Sequence, residues 1–337
     1  MHEASLYKKM QQGAVSCFLC QRRCYLKEGE KGFCRVRQNI SGKLYSQNYG
    51  KCVAYCNDPI EKKPFYHFMP GSQVFSFAAA GCNFNCLHCQ NHDISQPKKI
   101  FGQEVPPTGL VDLALAHHSK GIAYTYTEPT IFYEYAADTA KLARRKNLYN
   151  VFVTNGYMTP ETISDAVWLD AARVDLKAFS DRFYKEVCGE AHLEPVLKSI
   201  KLLHSRMHVE IITLLIPTQN DSDEELRALS KWVKELDADI PLHFTAYYPS
   251  NRMALPPTPA STLLRARKIA MEEGLNYVYT GNRPGDEGES TFCPKCGFCV
   301  IRRYGFDILE NKLADGKCGK CGKKLPIITN WKKGRKD

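Results

Sequence analysis

Three cysteines in the segment GCNFNCLHCQN, Cys82, Cys86 and Cys89, stand at the spacing C-x3-C-x2-C. Thiolates gathered this closely are metal ligands before they are anything else. Fifteen cysteines scattered at random over 337 positions would produce such a triple about 0.03 times, so the spacing is not accidental. A [4Fe–4S] cluster is normally closed by four cysteines, and three leave one iron with a coordination position open to a non-protein ligand. An open position is what a reactive metal centre requires. The competing chemistry is a zinc knuckle completed by His88 or His92.

Two further sets lie toward the ends. Cys17, Cys20, Cys24 and Cys34 offer four thiolates. Four protein ligands close a site, which suits structural zinc or an electron-transfer [4Fe–4S] cluster, and spacing does not separate the two. Zinc is favoured because nothing else in the segment suggests an electron path. Cys293, Cys296, Cys318 and Cys321 form two CxxC knuckles 21 residues apart, near the C-x2-C-x15–20-C-x2-C zinc pattern. Each knuckle is followed by a glycine that permits the tight turn around an ion, and a zinc ribbon of this kind folds only with its metal. Cys299 repeats the CxxC spacing and leaves the ligand choice ambiguous. Cys52, Cys56 and Cys188 read as buried free thiols.

These sets need a scaffold. Hydrophobic residues make up 44% and charged residues 24% of the chain, ordinary for a folded globular protein and far from disorder. The opening MHEASLYKKMQQGAVSCFLC lacks the apolar core of a signal peptide, and no run of about 18 apolar residues marks a membrane span. The expected compartment is the cytoplasm, where thiols stay reduced and open to metal. Lys and Arg number 46 against 36 Asp and Glu, a net charge of +10. That excess would suit an anionic partner such as a nucleic acid. Many of these cations, however, lie in the cysteine-rich ends (QRRC, RVR, KCGKCGKK, WKKGRKD), where they offset thiolate charge.

The first 70 residues are turn-rich, with no sustained periodicity beyond short pieces such as KLYSQNYG. From Val74 short apolar runs alternate with amphipathic ones, the pattern of βα units around a parallel sheet. Strands are expected at 74–80, 121–126, 149–154, 173–177, 208–215, 241–246 and 276–280, and helices at 108–119, 131–146, 160–169, 193–205, 222–236 and 260–273. TQNDSDEELRALSKWVKEL shows a helix start, with Asp or Ser ahead of an acidic first turn. From Ser290 the composition shifts to Cys, Gly and Lys, the mark of a separate small module.

The motif GCNFNCLHCQN resembles that of the radical S-adenosylmethionine (SAM) superfamily. Over almost the whole chain the resemblance narrows to the radical SAM enzymes of the AmmeMemoRadiSam system, relatives of the pyruvate formate-lyase activating enzymes. It is carried by CFLCQRRCYLKEGEKGFCRVR, DPIEKKPFYHFMPGS, GCNFNCLHCQNHDISQ, YTYTEPT, TNGYM, DLKAF, LLIPTQNDSDEEL, HFTAYYPSNRM, YVYTGNRP and the closing CPKCG and CGKCG. The resemblance implies an enzyme in which SAM chelates the open iron of the cluster and is cleaved reductively to a 5′-deoxyadenosyl radical that abstracts hydrogen from a substrate. It implies an α/β architecture, a partial (β/α)6 TIM-type barrel at 71–286. A four-cysteine N-terminal extension (1–70) and a C-terminal zinc ribbon with a basic tail (287–337) flank it. The sequence departs from the family at LHC, where an aromatic more usually precedes the third cysteine, and at LPIITNW, where a glycine is expected before the Trp. Cys52, Cys56 and Cys299 are not positions the family is expected to need.

The resemblance also implies site roles. His88 stands where a flat ring packs on adenine, Glu128 would accept from the SAM ammonium, Asn155 and Gly156 match a ribose-contacting turn, and Lys177 beside Asp175 would meet the SAM carboxylate. Each has a plainer reading: a solvated helix-start Glu beside Pro129, an ordinary βα turn, and a barrel-end ion pair on one strand face. Tyr126, Tyr133 and Tyr247 either line a cavity or only pack, and His117 and His118 read as packing on a helix. The implied substrate is a protein glycyl site or a small molecule handled with Memo-like and AMMECR-type partners, with electrons from a flavodoxin or ferredoxin. The rivals are a radical SAM enzyme acting on tRNA or rRNA, and a zinc-only nucleic-acid-binding protein. Neither a membrane nor a nucleic acid is the expected partner.

Overall fold

The computed structural model describes residues 1–331. The last six residues of the expected basic tail lie outside the described residues. Seven parallel strands form the centre: β2 (Gln73–Ala79), β3 (Gly121–Tyr124), β4 (Tyr149–Thr154), β5 (Ala171–Asp175), β6 (His208–Leu215), β7 (Leu242–Ala246) and β8 (Val278–Gly281), side by side in chain order. Every residue of β2 after Gln73, and all of β3, is buried, as expected of strands covered on both faces. The seven expected strands are therefore present. The helices that return the chain are α1 (Pro107–Ala116), α2 (Tyr133–Arg145), α3 (Pro160–Asp165), α4 (Leu193–His204), α5 (Asp223–Leu236) and α6 (Ala260–Glu272). α5 buries Leu226, Leu229, Ser230 and Val233, one face at helical spacing, and the Ser222 hydroxyl caps it by accepting from the Glu225 amide.

Two expectations need correction. α3 stops at Asp165, four residues early, where the chain turns to bring Trp168 against Tyr124, Tyr133 and Phe152. The first 70 residues are not devoid of sustained strand structure. β1 (Lys51–Pro59) runs nine residues antiparallel to β2 and extends the barrel sheet, with Gln103–Glu104 outside it. β1 lacks regular alternation because its middle, Ala54 to Cys56, faces outward or is half-exposed, and Cys56 is exposed where a buried thiol was expected.

Residues 1–46 form two small antiparallel sheets fastened to the barrel. Arg37, 2% exposed, makes a two-pronged ion pair at 2.9 and 3.0 Å with Glu134 of α2, which also accepts from the Ser5 amide and hydroxyl. At the other end, the strand pair Cys299–Tyr304 and Asp307–Asn311 builds the C-terminal module. This module packs against the barrel. Arg303 stacks on Tyr66 with its guanidinium 4.2 Å from the ring centre and donates to the Tyr66 carbonyl, while Ile328 bridges to Phe68. Together these plug the N-terminal ends of the strands around Glu210. Burial alone would raise that carboxyl, but hydrogen bonds from His208 and His243 reverse the effect and hold it well below the usual range.

Candidate active site

The opposite end of the barrel holds a cavity of about 360 Å³. Its walls come from the C-terminal ends of the parallel strands and the turns that follow them, where barrel folds build their sites. Cys82, Cys86 and Cys89, on the turn after β2, all face it, as do His88, Glu128, Asn155, Asp175 and Lys177. Of the nine residues expected around cluster and SAM, eight therefore meet at one cavity.

The cysteine turn is held from several sides. The Cys82 sulfur accepts from the Phe84 amide at 3.4 Å, Gln96 donates to the Phe84 carbonyl at 2.7 Å, and Ser95 sits 3.7 Å from the Cys89 sulfur. Burial pushes the Cys82 and Cys89 thiols up, so thiolates there call for a strong positive charge such as that of iron. The Cys86 thiol is lowered, chiefly by a hydrogen bond from Cys188. Cys188 is thus no isolated core thiol. The amides of Asn85 and Leu87 donate to the carbonyls of Cys188 and Val187, so this end of helix Asp181–Val187 backs the motif.

Glu128 is buried, not the solvated helix start that its neighbour Pro129 suggested. One carboxylate oxygen accepts from the Thr130 amide (3.1 Å), the Thr130 hydroxyl (2.5 Å) and the Thr154 hydroxyl (2.7 Å), and the other from the Asn155 amide (2.8 Å). Burial raises its carboxyl against the pull of these donors. The result ties the turn after β3 to the turn after β4. Asn155 carries the tie onward, donating 2.7 Å to the side chain of Asn83, next to Cys82.

Gly156 behaves differently. It has φ 69°, and a Cβ there would fall 2.7 Å from a Val174 methyl, so glycine serves the turn and the packing beneath it. His88 is 5% exposed, burial drops its imidazole to about 3, and Nδ1 has no partner among the described residues. A neutral ring with a free nitrogen thus lies at the cavity wall. Asp175 sits between Arg173 and Lys177 and pairs with both, so the plain ion pair is present in this geometry.

Lys63 was not singled out from the sequence, whereas Tyr126, expected either to line a cavity or only to pack, does line this one. Lys63, buried, pairs with Asp58 at 2.7 Å, and the Tyr126 hydroxyl donates to the same carboxylate. Tyr126 has φ 63°, a costly conformation for an aromatic residue, and Asn91 holds its carbonyl at 2.7 Å. The signal for Asp58 and Lys63 was present in DPIEKKPF, but the strand that leads into it carries no regular alternation. Tyr133 and Tyr247 are core residues bonded to Asp165 and to the Met253 carbonyl.

The C-terminal cysteines converge tightly. Cys293 and Cys321 lie 3.6 Å apart and Cys296 and Cys318 3.7 Å, with all four sulfurs within 4.8 Å of one another. Thiolates at 2.3 Å around a tetrahedral ion stand about 3.8 Å apart, so this set has the dimensions of a single-ion site. Cys299, on the adjoining strand, is outside it.

Comparison with known proteins agrees with this geometry. A family model described as the radical SAM superfamily matches residues 78–229. The uncharacterized protein MJ0808 of Methanocaldococcus jannaschii is 46% identical over 335 residues, spanning 97% of this chain and 100% of that protein. The pyruvate formate-lyase-activating enzyme of Clostridium pasteurianum is 22% identical over 173 residues, 50% of this chain and 71% of that enzyme. Among solved structures, Streptococcus suis SuiB bound to S-adenosylmethionine aligns with a TM-score of 0.49 at 12% identity, over 60% of this chain and 48% of that one. With three cysteines facing a cavity at the sheet's C-terminal end and a family match that runs from β2 into α5, residues 78–229 of this chain are a radical SAM domain.

Proposed function

We propose that this protein cleaves SAM reductively and uses the resulting 5′-deoxyadenosyl radical to abstract hydrogen from a substrate admitted to the barrel cavity. The observation that carries this reading is the meeting of Cys82, Cys86, Cys89, Glu128, Asn155 and Lys177 at one cavity of about 360 Å³. The donor set fits the group. Three thiolates would hold a [4Fe–4S] cluster and leave an iron for the amino and carboxylate groups of SAM, whose cleavage is the chemistry the cluster supplies. Glu128 keeps acceptor capacity on the oxygen that takes only the Asn155 amide, suited to an ammonium. Lys177 reaches a carboxylate by exchanging Asp175 for it. The His88 ring, neutral and unpartnered at Nδ1, suits an adenine face.

The substrate class follows the resemblance: a protein glycyl site or a small molecule, in the AmmeMemoRadiSam context with Memo-like and AMMECR-type partners. A flavodoxin or ferredoxin would supply the electron, in the cytoplasm. No helix among the described residues is long and apolar enough to cross a membrane. Zinc is the metal proposed for the C-terminal set, on its 3.6 and 3.7 Å sulfur spacings. Anaerobic protein with dithionite is expected to turn SAM into 5′-deoxyadenosine and methionine. The variant C82A/C86A/C89A is expected to lose the activity, and cleavage at the wild-type rate by that variant would refute the assignment.

A further inference from the structure

The three cysteine sets differ in how far their sulfurs spread. The C-terminal four crowd within 4.8 Å, as one ion demands. Among the described residues, no three of Cys17, Cys20, Cys24 and Cys34 converge in that way, and neither do Cys82, Cys86 and Cys89. The N-terminal four instead surround a small cavity, with Leu19, Leu26, Phe33 and Ile131 on its walls. Gly32 lies over it, where a Cβ would be 3.6 Å from the Cys24 sulfur and 3.7 Å from that of Cys34. A cubane cluster bonds each thiolate to a different iron corner, so its sulfurs stand wider apart than those on one ion. By this measure the N-terminal set matches the radical SAM triple and not the ribbon.

Position points the same way. The Cys34 carbonyl lies 3.1 Å from where a Cβ on Gly81 would stand, and Gly81 precedes Cys82. Arg22, between Cys20 and Cys24, donates Nε to the carbonyl of Asn83, which follows Cys82, at 2.9 Å. The N-terminal loops thus grip the chain on both sides of Cys82, one backbone layer from the active site. This contact lies between the N-terminal cysteines and the SAM motif. Arg22 and Arg37 also line the N-terminal cavity. Arg37 is neutralised by Glu134, while the positive charge of Arg22 would favour the more negative, reduced form of a redox centre there.

We infer that Cys17, Cys20, Cys24 and Cys34 hold a second [4Fe–4S] cluster, a one-electron store beside the SAM site, and not the zinc ion favoured from sequence. A low-potential one-electron donor of the reduced-flavin or iron–sulfur type takes its core from the 2+ to the 1+ state, and release of that electron toward the active site returns it to 2+. The storage role rests on the proposed function; the metal assignment does not.

The test is metal content and EPR of the full chain reconstituted anaerobically with iron and sulfide, beside C82A/C86A/C89A and C20A/C34A. Wild type is expected to carry about eight iron and about one zinc per chain. Each variant should keep about four iron, with zinc unchanged. In dithionite-reduced wild type the two signals should broaden each other, and either variant should remove the broadening. About four iron and two zinc in wild type would overturn the inference, as would loss of all iron from C82A/C86A/C89A with zinc retained. If only the SAM reading fails, wild type will hold about four iron that C82A/C86A/C89A keeps and C20A/C34A loses.

Discussion

Gly81 joins the N-terminal loops to the SAM motif, and Gly81→Ala measures that joint. The residue has φ 109°, outside the range alanine adopts readily, and its added methyl would meet the two Val36 methyls at 2.8 and 2.9 Å. The backbone penalty is about 1–3 kcal/mol and the overpacking about 1–3 kcal/mol, so a loss of roughly 2–6 kcal/mol is expected. For a barrel of this size each kcal/mol lowers the melting temperature by about 2–4 °C, which puts the fall at roughly 4–24 °C. The assay is thermal unfolding of anaerobically reconstituted protein, followed by near-ultraviolet circular dichroism. Val36→Ala removes both clashing methyls but leaves the φ and the Cys34 carbonyl at 3.1 Å. G81A/V36A should therefore be less destabilised than the two single changes added together, by about 1–3 kcal/mol. A G81A melting point within 1 °C of wild type (about 0.5 kcal/mol), or strict additivity in the double variant, would refute the contact.

Glu128→Gln tests the tie between the turns after β3 and β4. The amide oxygen can serve the three donors of Thr130 and Thr154, which turns the NH2 group against the Asn155 N–H. A stability loss of about 1–3 kcal/mol and SAM binding about tenfold weaker, at unchanged iron content, are expected from titration calorimetry. His67, bonded to the Tyr279 hydroxyl at 2.7 Å among Glu210, His208, His243 and Arg303, has its imidazole dropped by burial to about 3. The unfolded chain binds that proton near pH 6.5, so the stability from keeping His67 neutral is full above 6.5 and is lost as pH falls toward 3. Denaturation across pH 4–6 should show His67→Asn with a shallower slope than wild type, by up to about 1.4 kcal/mol per pH unit. Parallel slopes would place the acid sensitivity elsewhere.

The barrel was legible because its signals are local. Apolar runs such as VFSFAA and VEIITLL are buried on both faces, and the helix at Asp223 announces itself by Ser222 and three acidic residues. β1 was not legible, since a strand half open to solvent has no pattern to repeat, and its Asp58 finds Lys63 and Tyr126 only through the fold. The cysteine motif was readable from spacing alone, and Glu128 and Asn155 from the resemblance. What spacing did not disclose is that these two bind each other at 2.8 Å, or that Cys188, a hundred residues away, backs Cys86. At Gly156 the sequence left a ribose contact and a plain turn both open, and the Val174 methyl beneath it supplies a packing reason for the glycine.

The basic excess has a similar lesson. A net charge of +10 counts residues without regard to where their side chains go. Arg22 gives its guanidinium to the carbonyls of Asn83, Gly189 and Glu190, Arg37 is consumed by Glu134, and Arg173 pairs with Asp175. Arg303 lies buried on Tyr66, and Lys63 is held by Asp58. These cations fasten the two cysteine modules and the cavity wall to the barrel, and a guanidinium already bonded on three sides in the interior is not available to a phosphate. Where such a cation is paired with a carboxylate, the pair leaves the net charge unchanged, so the excess of 10 is carried by the remaining cations. These five cations therefore hold the modules in place, and a phosphate would have to be met by the others.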